Sequence, residues 1–451
     1  MATSPPSSPP SSRVFGFWIC LALVIGNMVG SGAFLLPQAL APFGWNAIFG
    51  WIVTIAGALC LAFVFATLAR HFPRAGGPYA FCREAFGRAP GFVVAWSYWI
   101  SVWTANAAIS VGATSYFVHL FPSLAGAPAW IALGFVWTFT LINCVSLRGV
   151  GGVQLATTIL KLLPLAAAIV LTLLVSSGVT DASAPVPPLR GEDISLAAIA
   201  ATVTLTLWAM VGFESATIPA GHVADAARTI PRATLIGTLA AGLIYLVACS
   251  GVALLLPAEQ ASQSTAPFAD FIGRYWGEGP ASLVAVFAMI SALGALNGWV
   301  LIQGEMPTAL ARDGIFPAWM AKTSGAGVPV RAHLISSSLV TVLILANQAR
   351  SVGDLFAVTA LISTLASVVA YLACSIAALW LQQRARIGRS AALTAAALAG
   401  ALYSLWAIYG AGREPVIWGL GLLLSGVPVY LLMRRNRGQG MGVTSASGRE
   451  E

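Results

Sequence analysis

Two long apolar stretches of the chain carry the same short motif of residues that disfavour a continuous helix. The motif reads Met-Val-Gly at Met28–Gly30 and again at Met210–Gly212, and in each stretch a proline follows seven residues after the glycine, at Pro37 and Pro219. Glycine weakens a helix by about 1 kcal/mol relative to alanine. Non-helical backbone inside a bilayer survives only where it lines a cavity or is buried in protein. The repeated motif therefore predicts two interrupted helices that face an internal site.

The chemistry of such a site follows from which backbone groups each interruption frees. Unwinding at Gly30–Gly32 leaves amide N–H groups at the start of a half-helix, where the helix dipole also favours an anion such as a carboxylate. Unwinding near Ala209–Gly212 leaves carbonyl groups, which suit an ammonium. Together they predict a receptor for the zwitterionic head of an amino acid. The alternative for Gly26-x-x-x-Gly30 is a helix-packing motif, which does not require a matching interruption elsewhere.

Lys161 and Glu214 are the two ionisable residues predicted to lie well inside apolar spans. Such residues are costly in a bilayer and are functional candidates by default. Lys161 lies about eight residues, or about 12 Å of helix, beyond the start of its span near Val153, and its alternative role is snorkelling to the interface. Glu214 directly follows the second motif, and its alternative role is to satisfy backbone amides that the interruption frees.

Aromatic and amide side chains are also predicted at mid-membrane depth. Trp208 adjoins the second motif, so it is a candidate wall for a substrate cation, which a tryptophan face attracts. Trp299 and Trp103 also lie mid-span, and for Trp103 ordinary packing is an equal alternative. Asn106 follows Trp103 by one helical turn, and an interhelical hydrogen bond is its alternative role.

The composition indicates that these residues belong to a membrane protein. Only 8% of the residues are charged and 58% are hydrophobic, whereas roughly a quarter of a soluble domain is charged. A spanning helix needs about 20 mostly apolar residues. The twelve predicted spans are centred near Leu23, Ala56, Ile100, Trp137, Ala166, Leu205, Leu243, Phe287, Leu339, Val368, Leu398 and Leu422. The predicted fold class is an all-α integral membrane protein.

The distribution of basic residues predicts the orientation of these spans. With the N-terminus in the cytoplasm, 18 of the 23 Lys and Arg residues fall in cytoplasmic segments and four in outer loops, as the positive-inside rule requires. Both termini are therefore predicted to be cytoplasmic, and the net charge of +8 reflects topology, not nucleic-acid binding. Arg outnumbers Lys 21 to 2, which favours a GC-rich prokaryotic genome and a bacterial inner membrane.

The two motifs are five predicted spans apart, so the second copy enters the membrane from the opposite side. Interrupted spans at matching positions of two inverted halves indicate the central site of a secondary transporter. The sequence predicts a disordered tail at 1–12, a transporter domain at 13–433 and a second tail at 434–451. Within the transporter domain, the first repeat is 13–175, the inverted repeat is 195–382, and two further helices lie at 391–433.

Other classes of function lack the residues that they need. The six cysteines and four histidines show no spacing typical of a metal site or a disulfide framework, so we predict no metal and no cofactor. A membrane enzyme would need converging catalytic groups, and a channel would need a polar lining or rings of charge. The expected partners are an amino acid or amine and the lipid bilayer.

Several segments give the chain a family resemblance. These are Gly26–Gly32, Pro73–Tyr79, Trp208–Ser215, Arg228–Ala233 and Arg312–Pro317. With them the chain resembles the amino acid–polyamine–organocation (APC) superfamily, and within it the basic amino acid/polyamine antiporters that exchange arginine for agmatine. The resemblance implies a leucine-transporter-like fold of two inverted five-helix repeats with helices 1 and 6 broken, two further helices, and a homodimer.

The resemblance also implies roles for individual positions. The substrate carboxylate would be held at the interruption of Gly30, at Ser31 and Gly32, and the amino group by carbonyls near Met28, Trp208 and Val211. The implied site for a guanidinium lies between Trp208 and Asn106, with Trp299 lining the pocket and Glu214 involved in the response to pH.

Two departures from the family pattern leave the coupling open. Ser101 and Val102 stand where the arginine/agmatine antiporters have a smaller pair, with Ser101 at the substrate site. Lys161 replaces an uncharged residue and is similar to a lysine of proton-coupled or sodium-independent relatives. Two alternatives follow, which are exchange of arginine for agmatine and proton-coupled uptake of broader or neutral amino acids through Lys161.

Overall fold

The computed structural model describes residues 16–72, 76–145, 150–181, 186, 188–217, 223, 225–325 and 327–435, without the side chains of residues 31 and 150–159. The α-helices are α1 (Phe17–Met28), α2 (Ser31–Leu40), α3 (Trp45–His71), α4 (Pro78–Phe86), α5 (Arg88–Leu120), α6 (Pro128–Val145), α7 (Val150–Ser176), α8 (Leu196–Met210), α9 (Ala226–Leu255), α10 (Ala258–Gln263), α11 (Pro267–Trp276), α12 (Glu278–Arg312), α13 (Val330–Ala346), α14 (Val352–Gln383), α15 (Ala391–Gly410) and α16 (Arg413–Leu424). Short 3₁₀ helices lie at Ala41–Phe43, Pro122–Leu124, Gly191–Asp193, Phe213–Thr217 and Ala318–Ala321.

The long helices are apolar enough to cross a bilayer. Ten helical segments of the described residues meet the length and composition of a membrane span. Two shorter apolar helical stretches, Leu160–Ser176 and Val330–Ala346, accompany them. The chain is thus an all-helical, multi-pass membrane protein. The predicted tail at 1–12, residues 436–451 of the predicted tail at 434–451, and Pro219 lie outside the described residues.

Burial separates central helices from peripheral ones. The most apolar part of α5 is 89% buried, whereas that of the span Arg413–Arg435, which contains α16, is 6% buried. Helices α12 and α14 pack along α5. Helix α5 therefore lies at the centre of the bundle, and α16 lies at its edge.

Two of the apolar spans are interrupted. The first span bends between α1 and α2, where Val29 and Gly30 have extended backbone angles. The second ends its α-helix at Met210 and continues as the 3₁₀ helix Phe213–Thr217. The first interruption lies at Val29 and Gly30, slightly before the predicted Gly30–Gly32, because Ser31 and Gly32 already belong to the first turn of α2.

Candidate substrate site

The two interruptions pack against each other. Gly212 has a φ of +114°, a backbone conformation that glycine adopts without the steric strain of other residues. A Cβ atom at this position would lie 3.2 Å from the carbonyl carbon of Asn27. Glycine at 212 therefore permits both the left-handed turn and the close approach of the two interrupted helices.

A small cavity lies where the interruptions meet. It is lined by Asn27, Met28, Gly30, Gly32, Ile109, Trp208, Val211 and Trp299. Six of the nine residues predicted to bind substrate are among them. The cavity volume is about 20 Å³, which is room for about one water molecule. An amino acid can enter only when the walls move apart, and the bulkiest parts of those walls are the indoles of Trp208 and Trp299.

Trp208 is held close to Gly32. A Cβ atom added to Gly32 would lie 2.7 Å from Nε1 of Trp208 and 2.9 Å from its Cδ1. The indole Nε1 is buried and has no hydrogen-bond partner among the residues that the structure describes. The absence of a side chain at Gly32 therefore allows the indole to lie against the start of α2.

The backbone groups at the two interruptions have opposite polarity. The first amides of α2 begin at Ser31, and the N-cap residue Gly30 gives them no side-chain acceptor; the first N–H groups of any helix lack partners within it. At the end of α8, the amide of Val211 donates to the carbonyls of Leu207 at 3.1 Å and Trp208 at 3.2 Å. The carbonyl of Trp208 thus already accepts one hydrogen bond and keeps its second lone pair.

Lys161 binds the first interrupted helix. Its side chain is fully buried, and Nζ donates to the carbonyl of Gly26 at 3.1 Å. In a continuous helix that carbonyl would accept the amide of Gly30, but α1 ends at Met28. The ammonium therefore satisfies an acceptor that the interruption frees, which snorkelling to the interface would not do.

Glu214 lies in the 3₁₀ helix after the second interruption and is fully buried. Its Oε1 accepts from the hydroxyl of Tyr98 at 3.0 Å, and both of its oxygens lie 3.1 Å from the hydroxyl of Tyr371. Its Oε2 accepts from the amide of Gly212 at 3.2 Å. The carboxylate therefore satisfies a freed amide and also joins the interruption to α5 and α14.

The other predicted residues of α5 lie beside the cavity lining. Asn106 is fully buried, and its Nδ2 donates to Oε1 of Gln303 at 2.7 Å. The hydroxyl of Ser101 donates to the carbonyl of Tyr98 at 2.8 Å, and its own carbonyl accepts from Ser363 at 2.7 Å. Ser101 is thus engaged within the helix packing, and neither residue belongs to the lining of the cavity.

Sequence reasoning missed several residues of this region. Asn27 and Ile109 line the cavity, Tyr98 and Tyr371 bind Glu214, and Gln303 binds Asn106. A tyrosine or glutamine inside an apolar span is a detectable signal, because polar groups at that depth need hydrogen-bond partners. Among the described residues, no three His, Cys, Asp or Glu side chains lie together as a metal site would require.

Apolar helices long enough to cross a membrane, two of them interrupted around a buried cavity, are the architecture of a membrane transporter. The chain belongs to the amino acid permease family of the APC superfamily, whose model matches residues 15–419.

The curated relatives are transporters of related amines and amino acids. The cadaverine/lysine antiporter of Escherichia coli (strain K12) is 35% identical over 369 residues, covering 80% of this chain and 82% of that protein. A Bacillus subtilis (strain 168) protein named "Putative arginine/ornithine antiporter" is 32% identical, covering 93% and 97%. The putrescine transporter PotE of Haemophilus influenzae is 29% identical, covering 90% and 94%. These similarities place the chain among the basic amino acid/polyamine antiporters, which are transporters and not enzymes.

Proposed function

We propose that this protein is a secondary active antiporter that exchanges a basic amino acid for an amine or a related basic amino acid by alternating access. The predicted pair is arginine and agmatine. The names of the relatives add lysine with cadaverine, arginine with ornithine, and putrescine to the pairs that need testing. All of these substrates carry a cationic side chain or amine.

The observation that carries the proposal is the meeting of the two interruptions at the small cavity. The start of α2 offers amides to a carboxylate, and the end of α8 offers carbonyls to an ammonium. Trp208 lies between them, against Gly32, where a flat aromatic ring can stack on a cation. Moving this indole is the step that would make room for a substrate.

The proposal includes the inverted-repeat architecture. The twelve predicted centres would form two inverted five-helix repeats, at 13–175 and 195–382, and two further helices at 391–433. The matching interruptions of α1–α2 and of α8 with its 3₁₀ helix support this arrangement. The homodimer is part of the same proposal and rests on the family resemblance.

The proposed orientation places both termini in the cytoplasm of a bacterial inner membrane. Ion pairs between distant described segments support this orientation, because each joins loops that it would put on one side. Arg83 lies 3.7 Å from Asp313 and Arg386 pairs with Glu84, and all four would be cytoplasmic. Arg350 pairs with Glu414, and both would lie outside.

Lys161 is proposed to act as a fixed positive charge that takes the place of a sodium ion. Its hydrogen bond to the carbonyl of Gly26 supports this role, since freed carbonyls of interrupted helices coordinate sodium in other transporters. The second candidate function is proton-coupled uptake of broader or neutral amino acids, with Lys161 as the proton carrier. The burial of this ammonium is the observation that favours it.

Reconstitution into liposomes tests the proposal. Labelled arginine, lysine, ornithine and a neutral amino acid are offered to vesicles that contain agmatine, cadaverine, putrescine, a neutral amino acid or no substrate, with and without a pH gradient. We expect uptake only into vesicles that contain a basic amino acid or amine, without sodium stimulation against a choline control. Uptake of neutral amino acids into empty vesicles, driven by a proton gradient, would instead identify the second function.

A further inference from the structure

A chain of buried side-chain hydrogen bonds ends at Asn106. The hydroxyl of Thr140 on α6 lies 2.6 Å from that of Ser337 on α13. The Nε2 of Gln303 on α12 donates to the hydroxyl of Ser337 at 2.8 Å. The Oε1 of Gln303 accepts from Nδ2 of Asn106 on α5 at 2.7 Å. Four helices are therefore linked by one series of hydrogen bonds, and all four side chains are fully buried.

The direction of this series is fixed at its far end. Thr140 Oγ1 lies 2.7 Å from the carbonyl oxygen of Val136. Two oxygens at that distance require a hydrogen atom between them, and only the threonine hydroxyl can supply it, because a carbonyl has none. Thr140 therefore uses its single proton on Val136, so the hydroxyl of Ser337 must donate to Thr140.

The same reasoning then fixes both amides. Ser337 has used its proton, so the group of Gln303 that faces it must be the NH₂ donor. The carbonyl of Gln303 consequently faces Asn106, which must present its own NH₂. Amide orientations are assigned from such networks, and this one leaves no choice. The Oδ1 of Asn106 remains, buried and with no hydrogen-bond partner in the described parts of the chain.

Asn106 and Gln303 each lie within one helical turn of a residue that lines the cavity. Asn106 precedes the cavity-lining residue Ile109 by three positions, and Gln303 follows the lining residue Trp299 by four. Residues at these spacings share a helix face. The two amides therefore lie about one helical turn beyond the lining, at one end of the cavity, where the distal part of a substrate would extend.

We infer that Gln303 and Ser337 are positioning residues that hold Asn106 as a hydrogen-bond acceptor and so select substrates whose side chain ends in N–H donors. A guanidinium or ammonium supplies such donors. A neutral side chain that ends only in oxygen acceptors, such as a sulfoxide or an ester, brings an oxygen against Oδ1 with no hydrogen between them, which is unfavourable. This inference rests on the proposed function, since it names the feature of the site that distinguishes basic substrates from neutral ones of similar shape that have no N–H donor.

The test compares two pairs of ligands of similar size on the purified full-length protein. Ornithine is paired with methionine sulfoxide, whose polar end is an S=O oxygen, and lysine is paired with the γ-methyl ester of glutamate. Neither neutral side chain has an N–H donor. Equilibrium binding gives the ratio of the dissociation constants within each pair. The variants are Gln303→Leu, Ser337→Ala and the matched control Ser336→Ala. Ser336 is equally buried and binds the carbonyl of Gln303 and Nε1 of Trp99, but it is not in the series.

We expect the unmodified protein to bind the basic member of each pair at least about tenfold more tightly, as for other sites with a fixed polar group. Gln303→Leu frees the amide of Asn106 to rotate, so methionine sulfoxide and the glutamate ester should bind more tightly than before and the ratios should fall about tenfold. Ser337→Ala should lower them about threefold, and Ser336→Ala should leave them unchanged.

A merely structural role would weaken both members of each pair in parallel, and that result for Gln303→Leu and Ser337→Ala would overturn the inference. Equal changes in Ser336→Ala and Ser337→Ala would also overturn it. The proposed function fails separately, if the unmodified protein in liposomes exchanges no basic amino acid or amine. Normal exchange combined with ratios that the variants do not change would refute the positioning role alone.

Discussion

The two interrupted helices are held by opposite kinds of buried group. At the first, the ammonium of Lys161 donates to the carbonyl of Gly26, which is its one acceptor among the described residues. At the second, the carboxylate of Glu214 accepts from the amide of Gly212 and from the hydroxyls of Tyr98 and Tyr371. The first interruption is thus joined to one helix, α7, and the second to both α5 and α14.

This difference indicates separate roles for the two halves of the site. Glu214 accepts from hydroxyls on two other helices, so the second interruption can move away only if both bonds break. Lys161 holds the first interruption by a single hydrogen bond. We infer that these buried charged groups anchor the second interruption more firmly than the first.

Replacing Gly32 by valine should have the largest effect, because it forces the two interruptions apart. The added atoms would overlap the indole of Trp208, which lies within 3 Å of the position of a Cβ atom. We expect loss of transport of every substrate in liposomes. Gly134→Val is the matched control, since a Cβ atom at Gly134 contacts nothing within 4 Å. Substantial transport by well-folded Gly32→Val protein would contradict the proposed site.

Replacing Glu214 by alanine should have the next largest effect. It leaves the Tyr98 and Tyr371 hydroxyls and one amide without an acceptor, and each unsatisfied buried donor costs about 1 to 3 kcal/mol. We expect a clearly lower unfolding temperature in detergent and little transport. Glu214→Gln keeps one acceptor oxygen and should retain most of the thermal stability. Equal stability of the alanine variant and the unmodified protein would show that the anchor is unimportant.

Replacing Lys161 by alanine should slow exchange by about tenfold or more, because a hydrogen bond to a charged group contributes about 1.5 to 3 kcal/mol of free energy. If Lys161 is a fixed charge, the impairment should be the same at every pH. The measurement is homoexchange and proton-driven uptake in liposomes over a range of pH. Intact exchange with loss of proton-driven acceleration would instead identify Lys161 as a proton carrier. Sodium-stimulated uptake by the unmodified protein would exclude both roles.

Replacing Trp208 by leucine should have the smallest effect of the four. A cation over a tryptophan face gains about 0.5 to 2 kcal/mol, so the dissociation constant for arginine should rise several-fold or more while the protein remains folded. Trp418→Leu is the control, since Trp418 lies exposed on α16. An unchanged affinity for arginine in the Trp208 variant would rule out the indole as the cation wall.

Local features of the sequence predicted much of this architecture. The interruptions follow from a Met-Val-Gly motif inside apolar segments, and Lys161 and Glu214 are conspicuous as charges at membrane depth. What the sequence could not supply is the pairing between distant segments. Tyr371 lies 157 positions from Glu214, and Gln303 lies 197 positions from Asn106. Such contacts depend on which helix faces pack together, and the apolar composition of these spans does not distinguish one face from another.

The small volume of the cavity bears on what could cross the membrane together with a substrate. With about 20 Å³, the space between the two interruptions has room for about one water molecule. A hydrated ion needs several water molecules, so it could pass this point only when the walls move apart. If the walls part only when substrate binds, the site would limit the passage of other solutes.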